Sequence, residues 1–346
     1  MKFIILDKSN KNIEKWDNYV DENESCSIYH TYNFLKYIAE YFNCKIYLFC
    51  VEGDDEIIGI LPMHTVKAFP YGYQLVSNPF NGSYGGLCAN SKEIGDYMVK
   101  NIESYVSNMG VRFAELREER DRQYELPTYD IYVNYQLSLF GSVDEIWTDK
   151  IKSKTRNQIR KSLKSDLEWE IYKEDGVKLF YEVYEETMVK IGSPFFKMKF
   201  FSGLMRSFPE NMFISIVRYR GKPISALWLV KSKNKIYNPW AGLIRKYQKL
   251  CPNNLNYWKA VCWAHELGFS EFDFGRSIKG SSHEKFKKGW GADSIDLSYY
   301  YILNGSEKIP EINPKNRTIR MLSKLWGIIP LAGKRAISEP LISRVP

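Results

Sequence analysis

Twice along the chain the hydrophobic pattern runs through the same succession, and this repetition limits the fold more than any single motif does. The first 140 residues read as a strand at 3–6, helices at 13–20 and 32–42, and β-branched or aromatic runs at 45–51 and 56–66 around the turn Gly53-Asp54-Asp55. A helix at 94–109 stops at Gly110, and strands at 111–116 and 129–139 follow. After an apolar stretch at 143–163, read as one long helix joining the halves, the pattern begins again. It predicts a strand at 167–172, helices at 177–189 and 199–207, and strands at 212–219, 224–231 and 235–243. A helix at 255–267, a strand at 271–274, a helix at 283–290 and a strand at 294–303 complete the second half. Helices, an antiparallel meander, a helix and further strands make an α+β unit, present twice.

The length of 346 residues suits two domains, with expected boundaries at 1–142 and 143–310 and a basic amphipathic tail at 311–346. With 44% hydrophobic and 26% charged residues, disordered and collagen-like classes are excluded. The opening Met-Lys-Phe-Ile-Ile-Leu-Asp has too few consecutive apolar residues for a secretory signal, and no run approaches the ~20 needed to span a bilayer. Cysteines 26, 44, 50, 88, 251 and 262 are irregularly spaced and form no C-x-x-C, so reduced, buried thiols and no metal are expected, in a cytoplasmic protein at the inner face of the membrane.

Charge is concentrated. Of the net +8, seven basic residues and no acid lie between Lys150 and Ser165, and Lys315 to Pro346 holds seven more against Glu339. Two patches of one sign point to a polyanion: a phosphate-bearing substrate, RNA or an anionic membrane surface, with DNA not expected. Arg156, Arg160 and Lys161 suit a diphosphate or a tRNA backbone, because guanidinium binds phosphate bidentately; a solvated helix fits them equally. Neither G-x-G-x-x-G nor G-x-x-x-x-G-K-[ST] is present, which argues against nucleotide chemistry through those loops.

The densest chemical signal is Glu271-Phe-Asp-Phe-Gly-Arg-Ser277 followed by His283-Glu-Lys-Phe-Lys-Lys-Gly-Trp-Gly291. A strand ending at Gly275 can turn sharply and present Arg276 and Ser277 to a substrate. The next helix brings Lys285, Lys287 and Lys288 nearby; the alternative is a solvated basic helix with Phe286 and Trp290 as its buried stripe.

Phe-Asp-Phe-Gly-Arg-Ser with Phe286-Lys287-Lys288-Gly-Trp-Gly-Ala292 resembles the C-terminal signature of the FemAB-like transferases, a GNAT-related acyltransferase family. Similar stretches are Tyr247-x-x-Leu250-x-Pro252-Asn253-Asn254-Leu255-x-Tyr257-Trp258, Lys154-x-Arg156-Asn157-x-Ile159-Arg160-Lys161 and Tyr84-Gly85-Gly86-Leu87, while Leu325-Trp326-x-x-x-Pro330-Leu331 resembles the tail of exosortase- and exopolysaccharide-associated members. The resemblance implies two GNAT-like domains with mixed, largely antiparallel sheets, a substrate channel between them, and amide formation on an amine of a cell-envelope precursor, peptidoglycan or an exported polysaccharide. An amino-sugar acceptor and a non-catalytic RNA- or membrane-binding module are the alternatives.

Within that resemblance Lys287 is the cation at the oxyanion or leaving group and Phe286 positions the donor. Tyr84, Asn238, Trp240 and Tyr257 would line the acceptor cleft, although turn formation and core packing explain them as well. No general base stands out among His30, His64, His265 and His283, and Asp273 suits a structural pairing with Arg276. No tightly bound cofactor is implied, and the donor is either aminoacyl-tRNA or acyl-CoA. The segment 167–207 is too short for the coiled-coil arm of some tRNA-dependent members, while Arg245-Lys-Tyr-Gln-Lys-Leu-Cys-Pro-Asn-Asn lacks the glycines of the usual pyrophosphate loop.

Overall fold

A computed structural model describes residues 1–68, 72–80, 84–119, 122–305, 308–309 and 326–344. The chain forms two compact units, and the division falls inside two strands, at Tyr132/Val133 and at Ile295/Asp296, and not at residue 142.

In the first unit the strands are β1 (Lys2–Ile5), β2 (Ile46–Gly53), β3 (Glu56–Ala68), β4 (Gly72–Val76), β5 (Cys88–Ala89) and β6 (Phe113–Glu118), with the end of β13 (Asp293–Leu303). β1 to β4 form an antiparallel meander, β4 and β6 run parallel, β6 is antiparallel to β13, and β5 pairs with β3. Strand alternation supplies two cores. Phe49, Val51, Leu61 and Met63 face Met98, Val99, Ile102 and Val106 of α3 (Lys92–Met109). Leu48, Cys50 and Ile60 face Trp16 and Val20 of α1 (Asn10–Glu22) and Leu35 and Ala39 of α2 (Tyr32–Phe42). The α3 helix ends where Gly110 adopts the left-handed conformation, as the sequence predicts.

The second unit repeats this plan. β8 (Leu167–Tyr172), β9 (Met212–Tyr219), β10 (Lys222–Ser232) and β11 (Lys235–Leu243) are antiparallel neighbours, β11 runs parallel to β12 (Glu271–Ile278), and β7 (Thr128–Ser138) lies beside β12. Helix α4 (Ser153–Leu163) and helix α7 (Pro252–Glu266) cover one face through Ile159, Ala260, Val261 and Ala264. Helices α5 (Val177–Ile191) and α6 (Met198–Ser207) cover the other, where Phe180, Phe201, Trp228 and Trp240 pack edge to face. In each unit the meander ends in a parallel pair whose crossover is one helix, α3 or α7.

The single long helix expected at 143–163 is interrupted. Helical turns at Val143–Glu145 and a π-turn at Ile146–Lys150 give way to extended backbone at Ile151 and Lys152 before α4 begins. Tertiary bonds hold the break open: Lys152 N–H donates to the Gly289 carbonyl, and Nη1 of Arg156 donates to the carbonyls of Trp147, Thr148 and Ile151 at 3.2, 2.7 and 2.6 Å. Gly291 closes the same corner at φ +68°, where an added Cβ would stand 2.0 Å from the Lys150 carbonyl oxygen.

Gly291→Ala combines a left-handed backbone with a backbone clash and is expected to destabilise by about 3 kcal/mol or more, against about 1 kcal/mol for Gly110→Ala, whose Cβ meets nothing. Urea denaturation of the two variants measures the difference; equal losses would show that the Lys150 carbonyl yields freely.

Candidate functional site

The parallel pairing of β11 and β12 runs through Lys235–Glu271, Ile236–Phe272 and Tyr237–Asp273. Just beyond it β12 kinks at Gly275, φ +73°, where a Cβ would press on the Asn238 carbonyl oxygen at 3.0 Å. Only glycine meets both conditions. Asp273, buried, stabilises the kink: Oδ1 accepts from Gly275 N–H at 2.6 Å, and Oδ2 accepts from Asn134 Nδ2 at 2.7 Å and Gln136 Nε2 at 3.1 Å.

The kink turns two carbonyls towards helix α8 (Ser282–Lys288). Lys287 Nζ donates to the carbonyls of Gly275 at 2.6 Å and Arg276 at 2.8 Å, and the residue is only 8% exposed. An ammonium has three N–H donors, and two of them are spent on these carbonyls. Burial pushes the Lys287 ammonium down to about 7; the Asp273 carboxylate opposes this and the Arg276 guanidinium reinforces it. At neutral pH both protonation states are populated.

Helix α8 is well anchored. The Ser281 hydroxyl caps it by accepting from Glu284 N–H, while Glu284 accepts from Tyr135 Oη at 3.1 Å, Gly280 N–H at 2.6 Å and Lys288 Nζ at 2.8 Å. Phe286 packs beside Tyr257 and Trp290, with ring centroids 5.4 and 6.1 Å away. It therefore belongs to the aromatic layer beneath Lys287, which is its alternative reading as a buried stripe.

Other expected site residues divide between this corner and structural duties. Arg276 is half-buried beside Lys287, and Ser277 is buried with no hydrogen-bond partner for its Oγ among the described residues. Asn238 Nδ2 bonds the carbonyls of Trp228 and Trp240, both at 2.9 Å, and its Oδ1 accepts from Tyr257 Oη at 2.7 Å. Those bonds straddle the register shift between Trp228 and Val230 in β10. Trp240 packs on Phe196, Phe200 and Phe201. Tyr84 is buried in the first unit, its carbonyl accepting from Asn78 Nδ2 at 2.7 Å. Of the basic trio, Arg156 spends Nη1 on the three carbonyls of the helix break. Arg160 is exposed over the Trp147 ring at 5.3 Å, bonding Asn157 Oδ1 at 3.0 Å, and Lys161 is exposed.

Sequence spacing missed two arrangements. Asp273 holds the Gly275 turn, a role its alternation with two phenylalanines does not signal. In the first unit Cys26, His30 and Cys88, all buried, bring their ligand atoms within 4.8 Å of one another. His30 Nδ1 accepts from Ser27 N–H at 3.1 Å, which places the imidazole proton on Nε2, 3.2 Å from the Gly86 carbonyl. Neighbouring Cys26 and burial hold the Cys88 thiol well above its usual range. Protonated Nε2 and thiol make a closed hydrogen-bonded cluster.

The first turn of α7, in the segment compared above with the usual pyrophosphate loop, begins with a proline. Pro252 has no N–H, and the amides of Asn254 and Leu255 both donate to the Cys251 carbonyl, at 3.1 and 3.3 Å.

Lys287 favours its neutral form when folded, so the unfolded chain binds more protons between the folded value near 7 and the ordinary lysine range. Wild-type stability should therefore rise relative to Lys287→Met as pH increases from 7 to 10. Thermal melts of both proteins across that interval give the slope; a flat difference would mean that the ammonium is not desolvated.

Residues 150–288 match the family model of the GNAT acetyltransferase domain. No curated protein matches the chain. Among solved structures, FemX superposes with a TM-score of 0.62 at 13% identity, covering 87% of this chain and 97% of that one. L-PGS from Bacillus licheniformis gives 0.57 at 13% identity, covering 91% and 97%. A tandem GNAT protein from the clavulanic acid biosynthesis pathway gives 0.54 at 7% identity, covering 89% and 99%. Meander, parallel pair and crossover helix, present twice, make this chain a tandem of two GNAT-like domains.

Proposed function

We propose that the protein is an acyltransferase of the FemAB-like kind, forming an amide by moving an aminoacyl or acyl group onto an amine of a cell-envelope precursor on the cytoplasmic side. The observation that carries this reading is the buried Lys287 ammonium on the Gly275 and Arg276 carbonyls, inside the stretch that matches the GNAT domain model. FemX and L-PGS, similar in fold, support an acceptor among cell-envelope components, and within that class peptidoglycan or an exported polysaccharide is our reading.

The chemistry needs a charge sink and an acid. The acceptor nitrogen attacks the donor carbonyl carbon, a C–N bond forms, and the C–O bond of an ester or C–S bond of a thioester breaks. In this reading the remaining N–H of Lys287 stabilises the oxygen that becomes negative, and an ammonium whose value burial lowers to about 7 can hand its proton to the leaving oxygen or sulfur. The amine's proton passes to solvent or to a substrate phosphate, and Lys287 is reprotonated from solvent. Asp273 acts as a positioning residue through Gly275.

The donor is aminoacyl-tRNA or acyl-CoA: the glycine-free turn before α7 speaks against the usual pyrophosphate site, and the short 167–207 segment speaks against a tRNA-binding arm. Incubation with charged tRNA or radiolabelled acyl-CoA and an envelope extract should consume the true donor alone; consumption of neither overturns the assignment. Lys287→Met is expected to lower turnover by about a hundredfold or more while ligand binding persists. Unchanged turnover would remove Lys287 from the chemistry. Asp273→Asn removes the anion that raises the Lys287 value, so the basic limb of the pH–rate profile should move to lower pH, with activity recovering on acidification. A uniform loss at every pH would reduce Asp273 to a packing role.

A further inference from the structure

Three metal-ligating side chains converge in the core of the first unit. Cys26 lies in the connection between α1 and α2, His30 ends the short helical turn Ile28–His30 in the same connection, and Cys88 belongs to the two-residue strand β5. They are 4%, 3% and 3% exposed, and their ligand atoms all stand within 4.8 Å of one another. Among the described residues no other trio of cysteine, histidine and acidic groups comes together in this way. Buried cysteines alone are ordinary core residues. A buried imidazole within reach of both thiols is what a metal site adds.

A tetrahedral zinc ion, with Zn–S near 2.3 Å and Zn–N near 2.0 Å, holds a sulfur and a nitrogen ligand ~3.5 Å apart. Cys88 Sγ and His30 Nε2 are 3.5 Å apart. Thiolate and imidazole also select a thiophilic metal over magnesium or calcium, which take oxygen ligands. The outer partner of the histidine is in place: Ser27 Oγ is 3.2 Å from Nδ1 and can accept a proton there, which frees Nε2 for the metal. The Gly86 carbonyl oxygen, 3.2 Å from the same Nε2, is within reach as a fourth ligand.

We propose that Cys26, His30 and Cys88 form a structural zinc site. Binding makes two Zn–S bonds and one Zn–N bond. The two thiol protons leave to solvent, the imidazole proton moves from Nε2 to Nδ1, and no electron is transferred. The hydrogen bonds from Ser27 N–H to Nδ1 and from Nε2 to the Gly86 carbonyl are exchanged for the metal bonds. Because all three ligands are buried, no position opens to a substrate, and the ion enters as the unit folds. It fastens the connection between α1 and α2 to β5. No local motif announces the site, since Cys26 and His30 stand four positions apart and the third ligand follows 58 residues later. The proposal does not rest on the transferase reading.

The test is the metal content and spectrum of the full chain, purified under reducing conditions from cells grown with zinc or with cobalt. Wild type is expected to hold one equivalent of either metal, and the cobalt form should show tetrahedral d–d absorption with thiolate-to-cobalt charge transfer. Cys26→Ser and Cys88→Ser should each weaken zinc retention against a chromophoric chelator by about a hundredfold or more, and Ser27→Ala by about tenfold. Cys44→Ser and Cys262→Ser, at free cysteines outside the trio, should leave retention unchanged. Where a ligand variant does not fold, the wild-type cobalt spectrum decides by itself, because it reads the sulfur donors directly. The proposal fails where wild type carries no stoichiometric metal, where the cobalt form lacks thiolate charge transfer, or where Cys44→Ser or Cys262→Ser loses the metal and Cys26→Ser and Cys88→Ser keep it.

Discussion

One ammonium on two backbone carbonyls organises the second unit's site. For Gly275 and Arg276 to present those carbonyls to Lys287, β12 must leave its regular path, and a glycine in the left-handed region is what allows this. The Asp273 carboxylate takes up the Gly275 amide, which is part-buried at the turn. Asn134 and Gln136 of β7 in turn satisfy the other oxygen of that carboxylate. Strand β7, the kink in β12 and helix α8 thus form one continuous polar network around a buried cation.

Such a network is an expensive way to stabilise a fold. Taking an ammonium out of water costs free energy that burying an apolar side chain of similar volume does not, and burial lowers the Lys287 value accordingly. Its surroundings are otherwise apolar and stiff: Tyr257, Phe274, Phe286 and Trp290 form one packed aromatic layer, which keeps α8 at a fixed distance from β12. Charge works hardest where water is excluded and donors do not reorganise.

Much of this was legible in the residues. Continuous β-branched and aromatic runs in β2, β3 and β10 and the helical spacing of α3 and α7 placed most elements within a few residues, because strands covered on both faces are apolar at nearly every position. Gly275, Arg276 and Lys287 stood out through their clustering in the chain. The region 143–163 misled for a clear reason: its apolar positions permit a continuous helix, and what breaks it comes from residues 289 and 291, far along the chain. Asn238 and Arg156 likewise read as ligand-binding types, yet their polar atoms go to backbone groups left over by a strand irregularity and a helix break.

By itself the sequence determined the element types, the twofold repetition of an α+β unit and the basic segments, since these depend on local periodicity and charge. Tertiary structure decided that the unit boundaries fall within β7 and β13, that Asp273 serves Gly275, and that Lys287 is desolvated. Each of these rests on groups brought together from distant positions, where burial and hydrogen bonding, invisible in a linear pattern, set the energy.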